Sequence, residues 1–141
     1  MDIDYALLAD YAEIVNSKLY VMGGGWDVNT VASLPANLRF SVALGVRVDW
    51  EETGQPIPVT VVVEDDDGAE YVRVQGQMQV SRGKVQLEGS TQLSQLAATL
   101  GVTFANAGGY RVRAVAGEGE GAVEQRLPFR VILSQGTATG S

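Results

Sequence analysis

Apolar and polar residues alternate one by one through most of the chain, which is the period of an extended strand with one buried face. Leu38, Phe40, Val42, Leu44, Val46 and Val48 fall on one side of such a strand, and Arg39, Ser41, Ala43, Gly45, Arg47 and Asp49 on the other. Ile57, Val59, Val61 and Val63 repeat the pattern, Asp65-Asp66-Asp67-Gly68 interrupts it, and Val72, Val74, Gly76, Met78 and Val80 resume it. An Asp-Gly step between two alternating runs predicts a hairpin, because glycine supplies the positive φ of a tight turn. A second hairpin is expected from Tyr110, Val112, Ala114 and Ala116, through Gly117-Glu118-Gly119-Glu120-Gly121, to Val123, Gln125, Leu127, Phe129, Val131 and Leu133. Pro128 sits on the alternate parity and has no N–H, so this strand either lies at an edge there or turns that position outward.

Two windows break the alternation. Tyr5 to Val15 is apolar on both parities and also permits a helical face, but Asn16-Ser17 followed by Lys18-Leu19-Tyr20-Val21-Met22 favours a hairpin. A strand with Ala6, Leu8 and Ala12 on one side and Tyr5, Leu7, Ala9 and Tyr11 on the other leaves an apolar row in water unless something covers it. The cover could be the Ser90–Leu100 segment or a second subunit. That segment has Leu93, Leu96 and Leu100 at helical spacing, which predicts a short helix or irregular loop feeding a strand of Leu100, Val102 and Phe104. About eight strands with turn signals every ten or so residues predict an all-β fold: a single antiparallel β-sandwich, immunoglobulin-like or transthyretin-like. It is expected to span residues 1–134, with a flexible tail over 135–141.

Composition narrows the chemistry more than the fold. The 141 residues suit one domain that needs neither disulfide nor metal to fold. There is no cysteine and no histidine. A Ser-His-Asp triad, a Cys-His pair, a zinc finger and an iron–sulfur cluster are therefore excluded, and carboxylates, hydroxyls, lysines and arginines remain. The lack of cysteine, the acidic opening Met1-Asp2-Ile3-Asp4 and the absence of an apolar run near ~18 residues predict a cytoplasmic protein without a membrane span. A net charge of −7 argues against nucleic acid as a partner. Residues 1–67 hold 12 acids and 3 bases, residues 68–141 hold 5 acids and 7 bases, an asymmetry that interleaved strands would erase.

Several local motifs admit a chemical reading. Gly23-Gly24-Gly25-Trp26 lacks the lysine and the Ser or Thr of a phosphate loop, so the glycines are read as a bend and the tryptophan as a core cap or an exposed binding anchor. Asp65, Asp66 and Asp67 are calcium candidates, which Asp49, Glu51 and Glu52 would join if both loops emerge at one end of the sandwich; a hairpin with solvated acids explains the same letters. Carboxylate pairs could also serve acid–base catalysis, although no apolar surroundings are visible to raise a pKa. Arg39, Arg47, Arg111, Arg113, Arg126 and Arg130 share the outward parity; on one sheet they would form a face for an anionic partner, and otherwise they pair with acids such as Glu124 and cover apolar atoms with their stems. Phe104 to Tyr110 is similar to the tyrosine corner of immunoglobulin-like sandwiches, where a hydroxyl ties a loop to backbone.

Taken in order, Ala9-x-x-Ala12, Lys18-Leu19-Tyr20-Val21-x-Gly23 running into Gly25-Trp26-Asp27, Leu34-Pro35, Asp67-Gly68, and Phe104 followed by Gly108-Gly109-Tyr110 span nearly the whole chain. In these the chain resembles an uncharacterised bacterial family of small β-sandwich proteins, a domain of unknown function. The resemblance implies the sandwich and brings no activity, cofactor or site residue. The expected function is non-catalytic: a module for protein binding or scaffolding, homo-oligomeric in one form, without a cofactor, with Tyr5, Leu7, Tyr11 and Trp26 as interface candidates. The alternative is a calcium- or small-ligand-binding sandwich using the acidic loops, and the third reading is an enzyme confined to carboxylate chemistry.

Overall fold

The alternation from Leu38 to Val48 becomes the inner face of a long central strand. In a computed structural model, which describes residues 1–80 and 90–135, Phe40, Val42, Leu44, Val46 and Val48 are all buried on that face. The described residues form nine strands: β1 Asp2–Val15, β2 Lys18–Gly24, β3 Val28–Val31, β4 Ala36–Asp49, β5 Ile57–Asp65, β6 Glu70–Met78, β7 Thr91–Phe104, β8 Gly108–Ala116 and β9 Val123–Leu133. One sheet has the order β2-β1-β4-β7 and the other β3-β9-β8-β5-β6. Their inner faces bury one core, in which the β4 row meets Val59, Val61 and Val63 of β5, Val112 and Ala114 of β8, and Phe129 and Val131 of β9. Each such side chain removed from water contributes roughly 1.5–3 kcal/mol before the entropy cost of ordering it. Phe40, Phe104, Tyr110 and Phe129 form the aromatic centre, with ring centroids 4.6 to 5.9 Å apart among contacting pairs.

The all-β sandwich is as expected, and so are its hairpins. Gly68 (φ 87°) closes β5–β6, and Gly117 (φ 88°) opens the β8–β9 turn. Pro128 meets both conditions set for it: its side chain faces out, and β3 pairs with β9 only from Arg130 onward. Three details differ. The short β3 is an added strand, and it runs parallel to β9. The Ser90–Leu100 window is neither helix nor loop, because β7 pairs with β4 without interruption from Thr91 to Phe104. Leu96, Leu100 and Val102 point inward there, and Leu93 only mimics helical spacing from the outer parity, where it is exposed. Finally, the six arginines do not share a face: Arg39 and Arg47 lie on β4, whereas Arg111, Arg113, Arg126 and Arg130 lie on β8 and β9 of the other sheet. Of the tail expected at 135–141, all but Gln135 lies outside the described residues.

Candidate interaction surface

The N-terminal strand solves its two-sided apolarity by folding its own second half over its first. β1 pairs with β4 from Asp2 to Ala9 and then parts from it, pairing with β2 alone as far as Val15. Asn16 and Ser17, both at positive φ (52° and 62°), make the two-residue turn that the right-handed twist of a hairpin favours. At the other end the ladder skips Asp10 and Gly23; Gly23 (φ 63°) and Gly25 (φ 81°) supply the bend, and Gly25 N–H donates to Leu8 O at 2.8 Å. Beyond the bend Ala12 and Leu19 pack with Ala43 of β4 and Ala97 of β7, alongside Tyr5, Leu7 and Ala9. The turn reaches β7, where Ser17 O accepts from Gln95 Nε2 at 2.8 Å. The hairpin therefore lies across the outer face of the four-stranded sheet. Close approach is possible because that face carries small residues, and at Gly45 the Tyr5 ring occupies the space a Cβ would fill.

Covering one row exposes another. Tyr11, Glu13 and Val15 pair with Met22, Tyr20 and Lys18 and share the hairpin's outward face. Tyr11 is 44% exposed, Val15 41%, Tyr20 52% and Met22 71%, with Val21 at the free edge of β2 at 38%. Tyr11 Oη donates to Glu13 Oε2 (3.1 Å), and that hydrogen bond holds the phenol above its ordinary pKa. Five apolar or aromatic side chains are thus grouped on one two-stranded element whose outer strand, among the described residues, pairs with β1 alone.

Residues 4–132 match the model of a family of unknown function, DUF6941. The chain belongs to that family. No curated protein matches it. A CARDB domain from Pyrococcus furiosus, solved in complex with di-metal ions, is similar at 17% identity over 77% of this chain and 86% of its own, with a TM-score of 0.44.

The other residues singled out from the DUF6941 sequence are placed as follows. Trp26 is half-buried, edge-on to Phe40 and Phe129 (5.6 and 6.0 Å), and caps the core instead of standing free as an anchor. Tyr5 and Leu7 are half-buried beneath the hairpin, and Tyr5 Oη donates to Gln95 Oε1 at 2.6 Å. Among the four interface candidates, Tyr11 keeps its ring in the open. Val15, Tyr20, Val21 and Met22 were missed; their signal was a run apolar on both parities, the same signal that drew attention to β1.

The calcium candidates do not converge with the second acidic loop. Asp49, Glu51 and Glu52 precede β5, whereas Asp65 ends it and Asp66 and Asp67 follow, at the opposite end of a nine-residue strand. Asp65 Oδ1 accepts from the backbone N–H groups of Asp67 and Ala69 (2.9 Å each), and so shapes its own turn. Among the described residues no group of three or more acids is placed to hold a metal ion. On the outer face of the five-stranded sheet, Glu64 is 4% exposed and accepts from Arg113 Nε and from Arg111 Nη2 (3.2 Å). Arg113 and Arg126 also donate to Glu124 (3.1 and 2.8 Å). Arg111, Arg113 and Arg126 thus pair with acids, and Val62, on the outward parity opposite Arg73 and Arg113, is completely buried beside their stems. Arg113, foremost, holds the Glu64 carboxyl below the usual carboxylate range. Tyr110 Oη donates to Asn106 O, the loop tie expected of a tyrosine corner. Among the described residues no helix is long and apolar enough to cross a membrane.

Proposed function

We propose that this DUF6941 protein is a non-catalytic, cytoplasmic module that binds protein through the β1–β2 hairpin. The observation that carries the reading is the grouping of Tyr11, Val15, Tyr20, Val21 and Met22 in water on one element. Isolated exposed apolar residues are ordinary, but tyrosine and methionine clustered beside an edge strand have the composition of an interface core. A protein is the ligand that this chemistry suits, since the edge offers backbone N–H and C=O groups in register and the tyrosines bring flat apolar surface with a polar tip. The acidic loops are solvated turns, and Glu64 is committed to two arginines, so neither supplies the paired free carboxylates that acid–base chemistry requires.

The test is photo-crosslinking in the native cell, with a benzophenone side chain replacing Tyr20 and, as control, the exposed Gln75 on β6. A discrete protein adduct at position 20 that is missing at position 75 supports the reading, whether the captured chain is another protein or this one. No adduct at position 20, or the same adducts at both positions, overturns it.

A further inference from the structure

We infer that the occupant of the hairpin edge is a second copy of this chain, with β2 paired antiparallel to β2 about a two-fold axis at Val21. This names the partner within the reading above and rests on it. In a two-residue hairpin the residues flanking the turn, Val15 and Lys18, form a mutually hydrogen-bonded pair, and bonded and non-bonded pairs then alternate. Lys18, Tyr20 and Met22 therefore direct their N–H and C=O groups to β1, while Leu19 and Val21 direct theirs to the free edge.

That edge is self-complementary. Val21 is the middle of β2, Lys18–Gly24, and a two-fold axis there pairs Tyr20-Val21-Met22, the stretch before the bend at Gly23, with its copy. Val21 meets Val21 of the second copy and Tyr20 meets Met22 on each side of the axis, the pairing ending at the Gly23 bend. An even register keeps every outward side chain on the same face, because side chains alternate with a period of two. The Tyr20–Met22 crossings bring thioether to aromatic ring, a favourable contact.

Charge selects the orientation. Lys18 carries the charge of β2, and antiparallel pairing sets the two lysines ~20 Å apart at opposite ends, whereas parallel pairing would place them side by side. The other edges are poorer templates: β3 is four residues long, β6 carries Glu70 and Arg73, and the β1–β2 turn already reaches β7 at Gln95. From their exposures, the five side chains present on the order of 500 Å² per copy; Tyr11 and Val15 stand one strand back from the seam, so about 1,000 Å² in all is the most that pairing can bury, the low end for a specific interface. The dimer should be weak and reversible. Two chains of charge −7 repel, so added salt should strengthen association.

The experiment is analytical ultracentrifugation of the full chain from about 1 to 500 µM, the range in which an interface of that size associates. Wild type should rise from 15.0 kDa towards twice that mass, more steeply at high salt. Met22→Lys, a change at a 71% exposed position, should keep the wild-type circular dichroism and raise the dimer Kd at least tenfold. The chain has no cysteine, so Val21→Cys gives a single thiol that should oxidise to a covalent dimer much faster than Gly101→Cys on β7. A strictly monomeric wild type, a Met22→Lys dimer as tight as wild type, or equal oxidation of the two cysteine variants would each overturn the inference. A monomer that still crosslinks another protein at position 20 removes the second copy and leaves the binding module standing; no adduct at all removes both.

Discussion

Gly45→Ala tests the claim that the apolar second face of β1 is sealed from within the chain. An added Cβ would stand 2.0 Å from Tyr5 Cε2 and 2.4 Å from Cδ2, against the ~3.5–4.0 Å at which carbon atoms rest. Gly45 lies outside the left-handed region, so the backbone itself accepts alanine and the conflict is with the ring alone. The ring cannot swing away freely, because its hydroxyl donates to Gln95 Oε1 at 2.6 Å and the hairpin packs beside it. Overpacking of this kind costs about 1–3 kcal/mol, and alanine in a strand returns ~0.5–1 relative to glycine, which leaves a net loss of about 1–2 kcal/mol. At this chain length that lowers Tm by roughly 3–8 °C. Urea unfolding of wild type, Gly45→Ala, Tyr5→Ala and the double variant makes the sign decisive. With the ring gone, Gly45→Ala should become neutral or stabilising by ~0.5–1 kcal/mol. An equal cost in both backgrounds would refute the contact.

Three further changes probe the rest of the molecule. Glu64→Gln should cost about 1–2 kcal/mol at pH 7, discounted because Arg111 and Arg113 are a quarter exposed. Since the folded-state pKa of Glu64 is lowered, its contribution is complete above the unfolded value of ~4.3 and lost as pH falls through the folded one, so the variant's acid limb in a urea series should be shallower. Tyr110→Phe removes the bond to Asn106 O and should cost ~1 kcal/mol. Burial pushes the Tyr110 phenol up to about 12, so the folded state keeps a proton the unfolded chain sheds near 10, and stability complete below that pH declines towards 12 less in the phenylalanine variant. Gly23→Ala combines a positive φ of 63° with a Cβ 2.3 Å from Asp10 Oδ2; a loss of about 1–2 kcal/mol should appear in hydrogen exchange as faster opening at Glu13 and Tyr20, which pair within the hairpin, than in β5.

The β4 row was readable because each of its parities has a single environment, and Leu38 to Val48 therefore announce a strand and its inner face together. Tyr5 to Val15 was readable only as a strand in need of cover. Periodicity states which side of a strand meets a neighbour and leaves open which neighbour that is. Here the cover is the same strand beyond Asp10, together with Leu19 of β2 whose path bends at Gly23, resting on Ala43 and Ala97, residues too small to carry an apolar signal of their own. The misreading of β7 has a related origin: Leu93 on the outer parity completes a helical spacing with the inner Leu96 and Leu100, and Ala97, packed against the hairpin, stands where an alternating strand would show a polar residue.

The exposed surface follows from that packing. A hairpin that covers a sheet has two faces, and when both of its parities are apolar, closing Ala12 and Leu19 against Ala43 necessarily turns Tyr11, Tyr20 and Met22 to the solvent. Burial inside one chain thus generates the surface that calls for a second, and a doubly apolar edge hairpin is the feature by which such a surface can be read from sequence.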